Sequence, residues 1–232
     1  GREVSVFAIA DGRAMVPIAA ACDYKRAGDD DKGPNTGGMG AYSPPQGFPE
    51  DLYDRVRERV LAPVLRGLLA EGEEYVGVLY CGLMWTADGP SVIEFNARFG
   101  DPETQVLMPR VGGDFAMLLK SAASGAMDLS QATFSPQSCA GVVLATGDYP
   151  RSSTALQGLN PDVALEDGCQ AFWGSSKIAD GKVATPGGRV LTVTALGDDL
   201  ESARTRAYES VRALASRLGT RELSYRTDIA RV

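Results

Sequence analysis

The sequence predicts an α+β fold in two lobes, residues 1–129 and 130–232, and three observations predict it. Strand-like runs and amphipathic helices are interspersed, with no internal repeat. Two pairs of apolar runs flank turn residues, Asp11-Gly12 and Ala87-Asp88-Gly89-Pro90, and such turns between strands signal hairpins. The pattern lapses over 125–138, as at a boundary between lobes. With 44% hydrophobic and 23% charged residues, the composition supports a packed core.

The elements follow in order. Residues 3–10 and 14–21 form the first hairpin. The segment 23–50 is polar and rich in Gly and Pro; it is too long for a plain connection, and long ordered loops tend to be functional. Leu52, Val56, Val60, Val64 and Leu68 recur every four residues, the spacing of an amphipathic helix, with a bend or break expected at Pro63. Residues 76–85 and 91–95 form the second hairpin. A helix is expected from there to about residue 124, interrupted near Gly112-Gly113. Strands follow at 139–145, near 170–175 and at 189–196. A helix over 200–218 carries Ala203, Ala207, Val211, Leu214 and Leu218 on one face.

Composition excludes several functions. The chain contains no histidine, which removes Ser-His-Asp and Cys-His catalysis and the common zinc motifs. A net charge of -7 argues against general binding to nucleic acid or an anionic membrane. Cys22, Cys81, Cys139 and Cys169 form no C-x-x-C pair and read as free thiols in a reducing compartment. No apolar run is long enough to span a bilayer, and the first residues lack the order of a signal peptide. A cytoplasmic monomer is expected. The chain opens on what reads as a strand, which suggests part of a longer protein.

Two segments carry chemistry. Glu94 and Asn96 are two apart on a strand, so their side chains leave the same face. A carboxylate and an amide oxygen are hard ligands suited to Mg2+ or Mn2+. Arg98, Asp101 and Glu103 follow at once, and metal ligands beside a guanidinium fit phosphoryl transfer. The second segment is Gly33-Pro34-Asn35-Thr36-Gly37-Gly38-Met39-Gly40, whose glycines allow backbone N–H groups to converge on an anion. No Gly-Lys-Ser/Thr follows, so it is not a Walker loop. Upstream, Asp23, Lys25 and Arg26 place two cations and a carboxylate at a strand end, either as anion binders or as a solvated edge. Asp29-Asp30-Asp31 reads as a solvated turn rather than a metal site.

Asp23-Tyr24-Lys25-Arg26, the segment from Gly33 through Pro44, and Val92-Ile93-Glu94-Phe95-Asn96-Ala97-Arg98-Phe99-Gly100-Asp101-Pro102-Glu103-Thr104-Gln105 together resemble the phosphoribosylamine-glycine ligase family, also called glycinamide ribonucleotide synthetases. Gly187-Gly188-Arg189-Val190-Leu191 and Tyr225-Arg226-Thr227-Asp228-Ile229 extend the resemblance through the second lobe. It implies the C-terminal half of an ATP-grasp domain followed by a smaller mixed α/β lobe. It also implies ATP-dependent joining of glycine to 5-phosphoribosylamine through glycyl phosphate.

By the same resemblance, Glu94 and Asn96 are Mg2+ or Mn2+ ligands, and Arg98 with Asp101 forms the catalytic set. Glu3 contacts the ATP ribose. Asp23, Lys25, Arg26, Asn35, Thr36, Gly37, Gly38, Met39 and Gly40 line the pocket for glycine and phosphoribosylamine. The glycine carboxylate is itself the nucleophile and phosphate is the leaving group, so no histidine base is demanded. Tyr24 stands where the family usually has His, and Ala230 where it usually has Gly. The family enzyme is nearly twice this length, with an N-terminal half that carries the ATP loop, so this chain alone is expected to have little ligase activity. The alternatives are a truncated, non-catalytic binding module and another ATP-grasp carboxylate-amine ligase.

Overall fold

The computed structural model describes residues 1–220 and 222–232. In chain order the elements are β1 (Arg2–Asp11), β2 (Met15–Asp23), β3 (Arg26–Gly28), β4 (Lys32–Asn35), β5 (Gly40–Ser43), α1 (Leu52–Val56), α2 (Ala62–Ala70), β6 (Val76–Thr86), β7 (Gly89–Asn96), α3 (Glu103–Leu107), β8 (Val111–Gly113), α4 (Phe115–Ala123), β9 (Ala132–Phe134), β10 (Ser138–Thr146), β11 (Leu156–Leu159), β12 (Cys169–Trp173), β13 (Lys177–Ala179), β14 (Lys182–Thr185), β15 (Arg189–Gly197), α5 (Leu200–Arg217) and β16 (Leu223–Ser224). They fall into two compact units. The first comprises Gly1–Cys22, Pro44–Gly100 and Arg110–Pro136, and the second Asp23–Ser43, Asp101–Pro109 and Gln137–Val232.

In the first unit the strand order is β2-β1-β6-β7, antiparallel throughout. Both expected hairpins form. Asp11 closes the first, its Oδ1 accepting the N–H groups of Arg13 at 3.0 Å and Ala14 at 2.8 Å. Val4, Val6, Ala8 and Ala10 are buried on one face of β1. On the other face Ile9 packs with Leu118 and Ala122 of α4. The helix expected over 51–69 runs past Pro63 without a break, because residues Arg57–Leu61 form a π turn between α1 and α2. Proline has no N–H to donate and crowds the carbonyl four residues back, which for Pro63 lies inside that wider turn. The helix expected to reach residue 124 is split into α3, a 3-10 turn at Met108–Arg110, β8 and α4. The apparent boundary at 125–138 holds β9, which pairs with β8.

In the second unit the strand order is β12-β15-β10-β5, with β16 paired to the end of β10. Helix α5 packs on β10 and β15 and buries the expected face of Ala203, Ala207, Val211, Leu214 and Leu218. Asp199 and Ser202 cap its start reciprocally. Helix α3 packs on β5, β10 and β15. The short strands β11, β14 and β13 form a small sheet of their own, and β3 pairs with β4.

Candidate functional site

The first unit brings Glu94 and Asn96 onto one sheet face. In the β1–β6–β7 register Ser5 stands opposite Gly82 and Gly82 opposite Glu94, while Phe7 stands opposite Tyr80 and Tyr80 opposite Asn96. Paired residues share a face, so Ser5, Phe7, Tyr80, Gly82, Glu94 and Asn96 all point the same way. A bulge after Gly82 makes Ile93 the extra residue of β7, re-aiming the strand just before Glu94, as bulges do beside functional sites. Glu94 is exposed.

Gly82 leaves it room. A Cβ at position 82 would stand 3.1 Å from Glu94 Cγ and 3.2 Å from Tyr80 Cε1. Below it, the Ser5 hydroxyl donates to Tyr80 Oη at 2.9 Å, fixing the floor of the site. Glu3 pairs with Met84 in the neighbouring row of the same face. Beyond β7, the Phe99 ring lies between Phe7 (6.1 Å between centroids) and Phe115 (6.0 Å). That anchors the chain one residue after Arg98, whose Nη1 donates to the Phe99 carbonyl at 2.9 Å.

The second unit gathers the other expected residues. Tyr24 N–H donates to the Gly40 carbonyl at 2.9 Å, and Met39 N–H to the Tyr24 carbonyl at 2.7 Å. The Lys25 carbonyl accepts both the N–H and the hydroxyl of Thr36, at 2.7 and 2.8 Å. Arg26 pairs with Asn35 in the β3–β4 ribbon, and Lys25 Nζ lies 3.9 Å from Asp23 Oδ1. Asp23, Lys25, Arg26 and residues 35–40 are therefore one hydrogen-bonded module. Within it Met39 is buried, and a Cβ at Gly40 would stand 2.6 Å from the Gly141 carbonyl; both contribute backbone placement. Asp101 accepts from Gln105 Nε2 at 3.1 Å and from Arg189 Nη1 at 3.1 Å.

Two arginines given no role in the sequence reading turn out to organise this module. Arg189 donates to Asp101 and approaches Gly38. Arg226, wholly buried, forks onto Asp228 with Nε–Oδ1 at 2.8 Å and Nη2–Oδ2 at 2.7 Å. Its Nη1 donates to the Arg26 carbonyl at 3.0 Å and to Asp31 Oδ1 at 2.9 Å. Its guanidinium also lies 4.9 Å from the centre of the Tyr24 ring. The acidic turn is thus more than solvated: Asp29 accepts the N–H and hydroxyl of Thr227, and Asp30 N–H donates to Asp228. Burial works against ionisation of Asp228, but the bonds from Arg226 and Asp30 outweigh it and hold its pKa at about 2. The Arg-x-Asp spacing at 226–228 is a signal for the local Arg226–Asp228 pair alone, not for its contacts with residues 26–31.

The antiparallel sheet of the first unit thus sets Glu94 and Asn96 side by side at the end of β7, with Arg98 two residues beyond the strand. The fold is shared with the biotin carboxylase domain of Hydrogenobacter thermophilus 2-oxoglutarate carboxylase, solved with MgADP, ADP and bicarbonate, at a TM-score of 0.64 and 14% identity over 97% of this chain and 47% of that one. More particularly, residues 1–104 match the family model of the phosphoribosylglycinamide synthetase ATP-grasp (A) domain, and residues 139–232 that of the phosphoribosylglycinamide synthetase C domain. The chain belongs to the phosphoribosylglycinamide synthetase family.

It is 43% identical to the phosphoribosylamine–glycine ligase of Pseudomonas syringae pv. tomato over 99% of this chain and 53% of that protein. It is 44% identical to the Leifsonia xyli enzyme of the same name over 99% of this chain and 55% of that protein. The crystal structure of the Thermotoga maritima phosphoribosylamine–glycine ligase superposes with a TM-score of 0.83 at 34% identity, over 98% of this chain and 55% of that one. The chain spans about half the length of the curated relatives it matches.

Proposed function

We propose that this chain carries the metal-binding and substrate-binding part of an ATP-dependent ligase that joins glycine to 5-phosphoribosylamine, through glycyl phosphate, in purine biosynthesis. It works as part of a longer, monomeric, cytoplasmic enzyme whose N-terminal half supplies the rest of the ATP site. Along the sequence we place the division of the lobes near residues 129 and 130, within the stretch the two family models leave uncovered, although residues 23–43 and 101–109 pack with the second unit and 130–136 with the first. The observation that carries the reading is the pair Glu94, exposed, and Asn96, partly exposed, side by side on one sheet face, in a chain whose relatives along nearly its whole extent are named as this ligase.

The donor set fits a hard divalent cation. Glu94 and Asn96 offer two oxygens beside Gly82, and a small cation such as Mg2+ commonly completes its shell with water and substrate phosphates. Mg2+ or Mn2+ bound there would supply charge neutralisation on ATP phosphates. Arg98, held by the Phe99 anchor, would bear on the charge that develops during phosphoryl transfer. Asp101, fixed by Arg189 and Gln105, would orient the reacting groups. Asp23, Lys25, Arg26 and residues 35–40 would receive glycine and phosphoribosylamine, with Glu3 at the ATP ribose.

Phosphate release by the longer enzyme, assayed with each substrate omitted in turn, tests the reading. Turnover should require ATP, glycine and phosphoribosylamine together, and Glu94→Gln should raise the magnesium concentration for half-maximal rate by about tenfold or more. Turnover indifferent to glycine would refute the assignment, and an unchanged magnesium requirement would remove Glu94 from the metal site.

A further inference from the structure

Arg189, at the start of β15, is held in an unusual way. A Cβ built at Gly37 would stand 3.0 Å from its Nη2, 3.1 Å from Cζ and 3.3 Å from Nε. Such near-equal distances mean that the guanidinium plane lies flat over Gly37. Its Nη1 is committed, donating to the Asp101 carbonyl at 2.8 Å and to Asp101 Oδ1 at 3.1 Å. Among the described residues, Nε and Nη2 have no acceptor, while the side chain keeps 23% of its surface exposed. The guanidinium borders a cavity of about 170 Å³ that Asp101, Gln105, Trp173, Ser175 and Thr192 also line. Gln105 spends its Nε2 on Asp101 and keeps a buried Oε1 with no partner, so the lining has hydrogen-bonding capacity that the protein does not use.

The Nε–Nη2 edge of a guanidinium presents two parallel N–H donors at the spacing of two oxygens of a carboxylate or phosphate. Lysine lacks that fork. Here one nitrogen is pinned to Asp101 and the plane is pinned by Gly37, so the open edge is already oriented and little rotamer entropy remains to be lost on binding.

We propose that Arg189 is a substrate-binding residue whose Nε–Nη2 edge receives an oxyanion of a substrate, and that position 37 is glycine so that the guanidinium can lie there. The identity of the substrate rests on the ligase reading: glycine would bring a carboxylate and phosphoribosylamine a phosphate, and both fit the same fork.

Two measurements test this. In Nε–Hε correlation spectra of the 232-residue chain, with the Arg189 signal assigned by its loss in Arg189→Lys, inorganic phosphate and glycine are titrated separately. A saturable shift of that signal with at least one of them is expected. No shift with either at about 30 mM, where a millimolar site would be nearly filled, overturns the proposal. In the ligase assay of the longer enzyme, Arg189→Lys and Gly37→Ala should both raise the KM of one substrate about tenfold or more, with kcat changed much less. A rise confined to glycine assigns the carboxylate, and one confined to phosphoribosylamine assigns the phosphate. If both variants lose only thermal stability and leave both KM values in place, Arg189 is a structural clasp and the proposal fails. Should the wild-type enzyme not turn over these substrates while phosphate or glycine still shifts the Arg189 signal, the ligase reading fails and the oxyanion site stands.

Discussion

Gly82 does for Glu94 what a larger residue could not, because the contacts a Cβ would make at 3.1 and 3.2 Å fall on Glu94 and Tyr80. Gly82→Ala should therefore displace the Glu94 carboxylate and raise the magnesium requirement of ATP turnover by about tenfold; an unchanged magnesium titration would show that Glu94 has room to spare. Ala230 is strained in the opposite sense. It is buried at φ +59°, in the left-handed region that favours glycine. Ala230→Gly should stabilise the chain by about 0.5–1 kcal/mol, read as a higher urea midpoint. The Arg226–Asp228 pair makes a pH prediction. With its folded pKa at about 2 against an ordinary 3.8, Asp228 contributes stability that is fully present above the unfolded value and is lost as pH falls through the folded one. Asp228→Asn should cost about 3 kcal/mol at neutral pH by leaving a buried guanidinium short of its partner, and it should flatten the decline in stability between about pH 4 and pH 2. A variant with the wild-type profile in that range would place the acid sensitivity elsewhere.

At the scale of elements, what the sequence made legible was whatever periodicity and turn chemistry encode locally. The α5 face is one case: Ala203, Ala207, Val211, Leu214 and Leu218 repeat at helical spacing and are all buried. Leu214→Ala should cost about 2–5 kcal/mol, measurable by denaturant unfolding, whereas a cost under about 1 kcal/mol would mean the helix packs loosely on β10 and β15. The two hairpins and the Glu94-Asn96 face were legible for the same reason, since alternation along a strand fixes which side chains share a face. The π turn before Pro63 was not, because its wider hydrogen-bond ring leaves no compositional mark. The short strands β3, β4, β8, β9, β11, β13 and β14, each of three or four residues, are too brief for a period to show. The clasp of Asp29, Asp31, Arg226 and Asp228 joins residues nearly two hundred positions apart, and such pairings are fixed by tertiary structure alone. The same holds for Arg189 beside Asp101, although both lie in segments that resemble the family.

For the whole molecule, the resemblance and the family match agree over residues 1–104 and 139–232, in a chain that spans about half the length of its relatives. No helix is long and apolar enough to cross a membrane among the described residues. The Glu94 face, the Arg98 anchor and the 23–40 module are all formed within this chain, so on the proposed reading it would carry the metal ligands and the substrate groups, and the other half of the enzyme the remainder of the ATP site. The most direct test is phosphate release with ATP, glycine and phosphoribosylamine by this chain alone, by the N-terminal half of the Pseudomonas syringae relative alone, and by the two together. Phosphate release is expected only from the mixture, dependent on glycine and abolished by Glu94→Gln. Family-like turnover by this chain alone, or a mixture whose turnover ignores both glycine and Glu94, would contradict it.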